Sequence, residues 1–385
     1  LILVILALVG GVLLVAGLTA VATGVLPTAD ALLVADRVWP VLLFVLSVTI
    51  VAELAALAGV FDALASRLAR WARARVVVLW LLVVALAVLV TAFLSLDTTA
   101  VLLTPVVISV ARANGLRPLP FAFVTVWLAN TASLFLPVSN LTNLLAAHTL
   151  DGGDAGTFVT LMFWPAAVAV LVTVGLLWII SRRSLRGTFV PARPVAVSDL
   201  TLLRLCSVVL VVMMPLLVIL PPWLPATLAA MLMLAVFTRR APGTVRWTLV
   251  PWQLVVFASG LFLAVAVLEQ LGSAALLASV VGSGDDLLSL WQVAGVGMLS
   301  ANLVNNLPAY LALEATAGSP ARLAALLIGV GAGPLITPWA SLATLLWHSR
   351  LSSLGVAVPW HRYILLGCLA GPLVVACAVL PLALG

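Results

Sequence analysis

Apolar residues run along this chain in long unbroken stretches, and polar residues gather in short clusters between them. Val76 to Leu94 is one such stretch, free of charge from end to end. A transmembrane strand would alternate apolar and polar residues, whereas a membrane helix needs about 20 apolar residues in a row. The pattern therefore predicts helices, the form in which a segment satisfies its own backbone in lipid. The candidate elements are 1–26, 38–60, 75–94, 98–111, 119–150, 156–180, 202–220, 224–238, 251–271, 287–303, 306–317, 323–347 and 357–384. The stretches that follow 75–94 and 287–303 are short and begin at polar clusters. Segments 119–150 and 323–347 are long, and each carries a polar patch around a proline, Pro137 and Pro338. Short or interrupted hydrophobic segments mark the binding site of a transporter.

Composition narrows the class. Of 385 residues, 65% are hydrophobic and 8% charged, against roughly 25% charged in an ordinary globular domain. That excludes a cytosolic enzyme, a secreted domain and a nucleic-acid reader, and predicts an all-α polytopic membrane protein. The first apolar run is too long for a signal peptide and has no clear cleavage pattern. The chain starts at Leu1 without Met, so a short preceding piece is expected. Cys206, Cys368 and Cys377 make no disulfide framework and read as packing residues.

Every basic residue is arginine, and the net charge is +6. Arginines collect in cytoplasmic loops. If 75–111 and 287–317 are re-entrant hairpins and the N-terminus is inside, all arginines except Arg37 and Arg322 fall inside. Arg193 counts among the inner ones, and Asp151, Asp154, Asp285 and Asp286 lie outside. The bias supports both assumptions. The basic, amphipathic stretch from Phe61 to Arg75 is either a helix on the inner leaflet or a solvated loop.

The halves resemble each other. Trp39–Ser66 lies on Trp252–Ser279 at one constant offset, matching Trp39 with Trp252, Phe44 with Phe257, Gly59 with Gly272 and Leu64-Ala65-Ser66 with Leu277-Ala278-Ser279. Leu134–Leu145 lies on Leu335–Leu346, matching Pro137 with Pro338. An odd number of crossings separates the halves, so the second is inverted. The first repeat is 1–193, with scaffold helices 1–60, inner hairpin 75–111, broken helix 119–150 and helix 156–180. The second is 194–385, with scaffold helices 202–271, outer hairpin 287–317, broken helix 323–347 and helix 357–384.

Four polar patches fall in these repeats. One pair is Ser95, Asp97, Thr98 and Thr99 against Asn302, Asn305 and Asn306. The other is Asn130, Thr131, Ser133, Ser139, Asn140 and Asn143 against Thr337, Ser341 and Thr344. Unsatisfied polar groups in hydrocarbon are costly, so the patches imply a polar cavity. Helix–helix hydrogen bonding is the alternative for any single Ser or Thr. Asn140 and Asn143, three apart, are expected to share a helix face, as are Ser341 and Thr344. Asp97 reads as a coupling-proton carrier, a helix cap, or both. Glu53 is a second proton carrier or a hydrogen-bonded scaffold acid. Glu269 is expected at the interface. His148, His348 and His361 are too scattered for a metal site, and no nucleotide motif is present. No cofactor or metal is expected.

The runs "FLSLDTTAVLLTP" (93–105), "ANTASLFLPVSNLTNLL" (129–145), "NLVNNLPAYL" (302–311) and "GPLITPWASLATLLW" (333–347) resemble ArsB-type arsenite/antimonite permeases. These belong to the ion-transporter superfamily that also holds sodium/proton antiporters and dicarboxylate carriers. The resemblance covers about 36–384. It implies an inverted-repeat, elevator-type carrier with two re-entrant hairpins and two broken helices. It places one half-site at Ser95, Asp97, Thr98, Thr99, Ser139, Asn140 and Asn143. The other half-site is Asn302, Asn305, Asn306, Thr337, Ser341 and Thr344. Such permeases often carry Asn-Asp-Gly at the first tip; here it is Leu96-Asp97-Thr98.

Arsenite and antimonite at neutral pH are small neutral trihydroxides. They suit amides, hydroxyls and carbonyls rather than fixed cations, and no arginine falls at the expected site. The reading is thus a transporter, not an enzyme, that exports arsenite or antimonite for protons across the cell (inner or plasma) membrane. Its N-terminus is cytoplasmic, and its partners are the substrate, protons and the bilayer. A homodimer and a cytoplasmic ATPase subunit are left open as partners; nucleic acid is not one. A sodium/proton antiporter of the same architecture is the alternative. An intramembrane aspartyl protease is remote, since it needs a second facing aspartate.

Overall fold

Helix follows wherever the apolar runs lie. The computed structural model of the chain describes residues 2–151, 155–190, 199–272 and 279–384, and among these every long element is helical. The helices are α1 (Ile2–Ala22), α2 (Thr28–Leu57), α3 (Val60–Trp71), α4 (Val76–Leu94) and α5 (Leu96–Ala113). Then come α6 (Leu119–Thr131), α7 (Leu141–Asp151), α8 (Ala155–Ser181), α9 (Leu200–Ile219), α10 (Trp223–Arg240) and α11 (Trp252–Gln270). The rest are α12 (Leu287–Val304), α13 (Asn306–Glu314), α14 (Pro320–Ala332), α15 (Leu342–Ser353) and α16 (Trp360–Val379). Eight of the described helices are long and apolar enough to cross a membrane.

One layer holds α1, α2, α9, α10 and α11, with α1 against α11 and α2 against both α10 and α11. The first contact is close because Gly10 and Gly260 face each other. A Cβ on Gly260 would stand 2.3 Å from the Gly10 carbonyl, so only small residues let these backbones meet. The other body contains α4–α8 and α12–α16. Here α12 packs on α14, α4 on α6, and α8 on α16.

Two helical hairpins and two interrupted helices shape this second body. The hairpins are α4–α5 and α12–α13, each turned by a single residue. Those residues, Ser95 and Asn305, have nearly the same backbone, with φ 112° and ψ 159° for one and φ 112° and ψ 155° for the other. The first tip is thus at Ser95, two residues before Asp97. The interrupted helices are α6–α7 and α14–α15, parted at Pro137 and Pro338. The all-α architecture and its paired breaks agree with the reading of the apolar pattern.

Several details differ from expectation. Of the Phe61–Arg75 stretch only the part to Trp71 is helical, and its buried residues Phe61, Ala65, Leu68 and Ala69 meet neighbouring helices. Cys206 is buried, but Cys368 is exposed on α16. The two arginines that break the charge rule are both tied into structure. Arg322 is 4% exposed and donates to the carbonyls of Ala317, Gly282 and Gly284 at 2.6, 2.7 and 2.7 Å. Arg37 pairs with Glu314. The repeat boundary at 193/194, Arg193, Asp154 and the matched pair Leu277-Ala278 lie outside the described residues, as does the side chain of Asp151.

Candidate functional site

The two tips and the two breaks converge on one cavity of about 390 Å³. Ser95, Leu96 and Asp97 reach it from the first hairpin, and Asn305 and Asn306 from the second. Asn140 and Leu141 come from the first break, and Trp339, Ser341 and Leu342 from the second. The opposite wall is apolar and belongs to the other layer: Phe44 and Val48 of α2, Leu254 and Phe257 of α11, with Thr49 as its polar member. No basic side chain lines this cavity among the described residues.

At each break the chain drops its helical bonds, and side chains take up the freed carbonyls. In the first, Leu136 and Asn140 are extended. Asn143 donates its amide to the carbonyls of Ser133 at 2.6 Å and Leu136 at 3.2 Å. The Ser139 hydroxyl donates to both carbonyls too, at 2.5 Å to Leu136. In the second, Asn302 does this work from the neighbouring hairpin. Its amide donates to the Gly333 carbonyl at 2.9 Å, while Thr337 N–H donates to its Oδ1 at 2.9 Å. The Asn305 amide donates to the Trp339 carbonyl at 2.9 Å, and its Oδ1 accepts from Leu307 N–H at 3.3 Å. At the first tip Thr98 N–H donates to the Ser95 hydroxyl at 3.3 Å.

These bonds leave two groups unused. Asn140 Nδ2 and Ser341 Oγ are buried, line the cavity, and have no hydrogen-bond partner among the described residues. Both stand immediately before a resuming helix, α7 and α15, so they are repeat-related. A buried amide donor and a buried hydroxyl without partners are costly; a polar ligand in the cavity would satisfy both.

Other expected site residues lie elsewhere. Asn130 and Thr131 donate to the carbonyls one turn back, Val126 and Trp127, and Ser133 to that of Asn130. Thr99 bonds Thr91, and Thr344 bonds the Tyr363 hydroxyl. All five are fully buried supports outside the cavity lining. Asn140 and Asn143 do not share a face, because Asn140 is extended and precedes the helix, where helical spacing does not apply. The same holds for Ser341 and Thr344. Asn302 and Thr337 form the clamp between hairpin and break.

Glu53 lines an adjoining vestibule of about 730 Å³, together with Asp97, Thr98, Trp252 and Arg350. On the other side of Phe44 and Leu144 lies a third space of about 520 Å³, lined by Arg37, Trp39 and His148. The central cavity thus adjoins both spaces. Among described residues no cluster of His, Cys, Asp and Glu suits a metal.

Three features escaped the sequence reading. Trp339 lies in the Thr-Pro-Trp-Ala run, and its indole donates to the Asn302 carbonyl at 2.8 Å. Phe44 and Phe257 form one wall, and their match in the repeat alignment was an available signal. Arg37 and Glu314 are joined by Thr149, which donates to Glu314 at 2.5 Å. Nothing local announces that cluster, since α2, α7 and α13 bring it together.

With this geometry, comparison with known proteins is informative. A family model described as "Citrate transporter" matches residues 1–376. The chain belongs to the citrate transporter family. Among curated relatives, the "Arsenical pump membrane protein" of Yersinia enterocolitica is 30% identical over 371 residues, covering 89% of this chain and 86% of that protein. One from Escherichia coli is 30% identical over 372 residues, with the same coverages. An "Uncharacterized transporter" of Mycobacterium tuberculosis is 26% identical over 290 residues, 70% of this chain and 66% of that one. Among solved structures, the YdaH transporter of Alcanivorax borkumensis, described as having an unusual topology, aligns with TM-score 0.61 at 16% identity. It covers 95% of this chain and 87% of that one. The ArsB-type resemblance and the multi-pass membrane architecture of this family member therefore stand.

Proposed function

We propose that this member of the citrate transporter family exports arsenite or antimonite in exchange for protons, by an elevator-type movement. The observation that carries the reading is the pair of groups without partners among the described residues, Asn140 Nδ2 and Ser341 Oγ, in a cavity that no described basic side chain lines. A neutral trihydroxide both donates and accepts, so it satisfies an amide and a hydroxyl together. A tricarboxylate would place several negative charges against this wall with no guanidinium to meet them. Two curated relatives described above are named arsenical pump membrane proteins.

Asp97 lines the cavity, and Asp97 and Glu53 both line the vestibule. These are the proton carriers of this reading, since an ionisable side chain at membrane depth marks a proton or ion path. The hairpins and interrupted helices form the moving unit, and α1, α2, α9, α10 and α11 the stationary one.

The test is transport by everted vesicles. Arsenite uptake is expected to follow an imposed proton gradient and to vanish in Asp97→Asn. Asn140→Ala and Ser341→Ala each remove one hydrogen bond, about 0.5–1.5 kcal/mol, so arsenite KM is expected to rise about two- to tenfold. Sodium flux without arsenite flux would establish an antiporter instead. Unchanged export in both Asp97→Asn and Asn140→Ala would refute the site.

A further inference from the structure

Away from the central cavity, a depression of about 440 Å³ opens where α5, α6, α8 and α16 end or begin. Arg112 lines it from the last turn of α5, Arg117 from the loop before α6, and Arg362 from the first turn of α16. No acidic side chain lines it among the described residues. Arg112 is held in place by donating to the Leu354 carbonyl at 2.7 Å. Arg117 and Arg362 take part in neither of the two ion pairs found among the described residues. Ser181 lines the same depression and is 7% exposed.

Three guanidinium groups with a hydroxyl beside them, and no counter-charge among the described residues, form a seat for an anion. Guanidinium forks match phosphate oxygens two at a time. The remaining wall says where that phosphate comes from. It is apolar, with Leu177 and Ile180 on α8 and Leu366 on α16. Beyond it both helices continue as a bare apolar surface, with Ile179, Leu365 and Leu369 exposed by 62, 69 and 63%. A soluble phosphate has no use for that wall, whereas acyl chains lie along it. Basic pockets at the ends of membrane helices hold anionic headgroups in this way.

The geometry points to a phosphate-binding site at Arg112, Arg117, Arg362 and Ser181 that takes the headgroup of an anionic phospholipid. A bound headgroup neutralises the charge at the ends of α5 and α6, the limbs that carry the first hairpin and the first break.

The test uses the full chain purified in a neutral detergent. Phosphatidylglycerol, phosphatidylcholine, glycerol 3-phosphate and inorganic phosphate are added separately. Thermal melting and native mass spectrometry are the readouts. Phosphatidylglycerol is expected to raise Tm and to remain bound, and phosphatidylcholine to do neither. The double variant Arg117→Ala/Arg362→Ala is expected to bind phosphatidylglycerol roughly tenfold more weakly or worse, because two charge-assisted forks are gone. Arg239→Ala, at the end of α10, is expected to bind it as the parent does. Arg117→Lys/Arg362→Lys preserves the charge and serves if the alanine variant does not fold; its affinity is expected to be intermediate. Equal binding of both phospholipids, or full retention by the double variant, would overturn the proposal. Stabilisation by inorganic phosphate or glycerol 3-phosphate equal to that by phosphatidylglycerol would overturn the lipid assignment.

Discussion

Ser95 and Asn305 show how much one residue decides here. Each sits at φ 112°, a region that side chains other than glycine seldom adopt. Each turns a helix back with no loop. The reward is a side chain at the tip, and Asn305 uses its amide to hold the Trp339 carbonyl. Backbone and side-chain roles separate by substitution. Asn305→Gly is expected to melt near the parent temperature, because glycine takes this φ freely, while losing the clamp and with it transport. Asn305→Val is expected to melt lower, since a β-branched residue at such a φ costs about 1–3 kcal/mol. Thermal melts of both variants check this, and equal melting would show the tip backbone to be unstrained. The sequence announced that Asn305 was special through its Asn-Asn-Leu-Pro surroundings. Ser95 drew notice mainly because Asp97 stands beside it.

At the scale of elements, proline does not explain the breaks. Pro40, Pro165, Pro215 and Pro372 lie inside continuous helices, whereas Pro137 and Pro338 stand in interrupted ones. The difference is what receives the freed carbonyls. Ser139 and Asn143 serve the first break, and Asn302 the second, so an open conformation is satisfied there. Close helix packing completes the second break. A Cβ on Gly367 of α16 would stand 2.0 Å from the Leu335 carbonyl. Gly367→Ala is therefore expected to destabilise the fold by about 1–3 kcal/mol through overpacking, read as a lower Tm; an unchanged Tm would show that the break can shift freely. The Arg37–Glu314 pair is a second element-scale device, because it joins α2 to the second hairpin while Thr149 brings in α7. Glu314 is 9% exposed and Arg37 32%. Its loss should cost roughly 2 kcal/mol, between a surface pair and a fully buried one. Arg37→Ala and Glu314→Gln are expected to melt lower by similar amounts, and the double variant by little more than either. Additive losses would show that the two residues act separately.

At the scale of the whole molecule, the central cavity is closed by two bodies, one polar and one apolar. Phe44 and Leu144 line both the central cavity and the space lined by Arg37 and His148. Phe44 belongs to the layer proposed as stationary and Leu144 to the unit proposed as moving. In a background without Cys206, Cys368 and Cys377, the pair Phe44→Cys/Leu144→Cys is expected to cross-link and stop transport, with recovery on reduction. Full transport by the cross-linked protein would exclude relative movement at this seam. Apolar run length by itself determined the class of this protein and its helices, because in lipid hydropathy and backbone satisfaction leave little choice. Arginine spacing supplied the expected orientation in the same way. Which polar residues face the cavity was a different matter. Asn140 faces it and Asn143 does not, and Ser341 does while Thr344 does not. Their composition and spacing are alike, but the extended residue before each resuming helix turns one side chain into the cavity and leaves the next to hold the backbone. That choice, like the meeting of Arg37 with Glu314, depends on where distant segments come to rest, and only tertiary structure decides it.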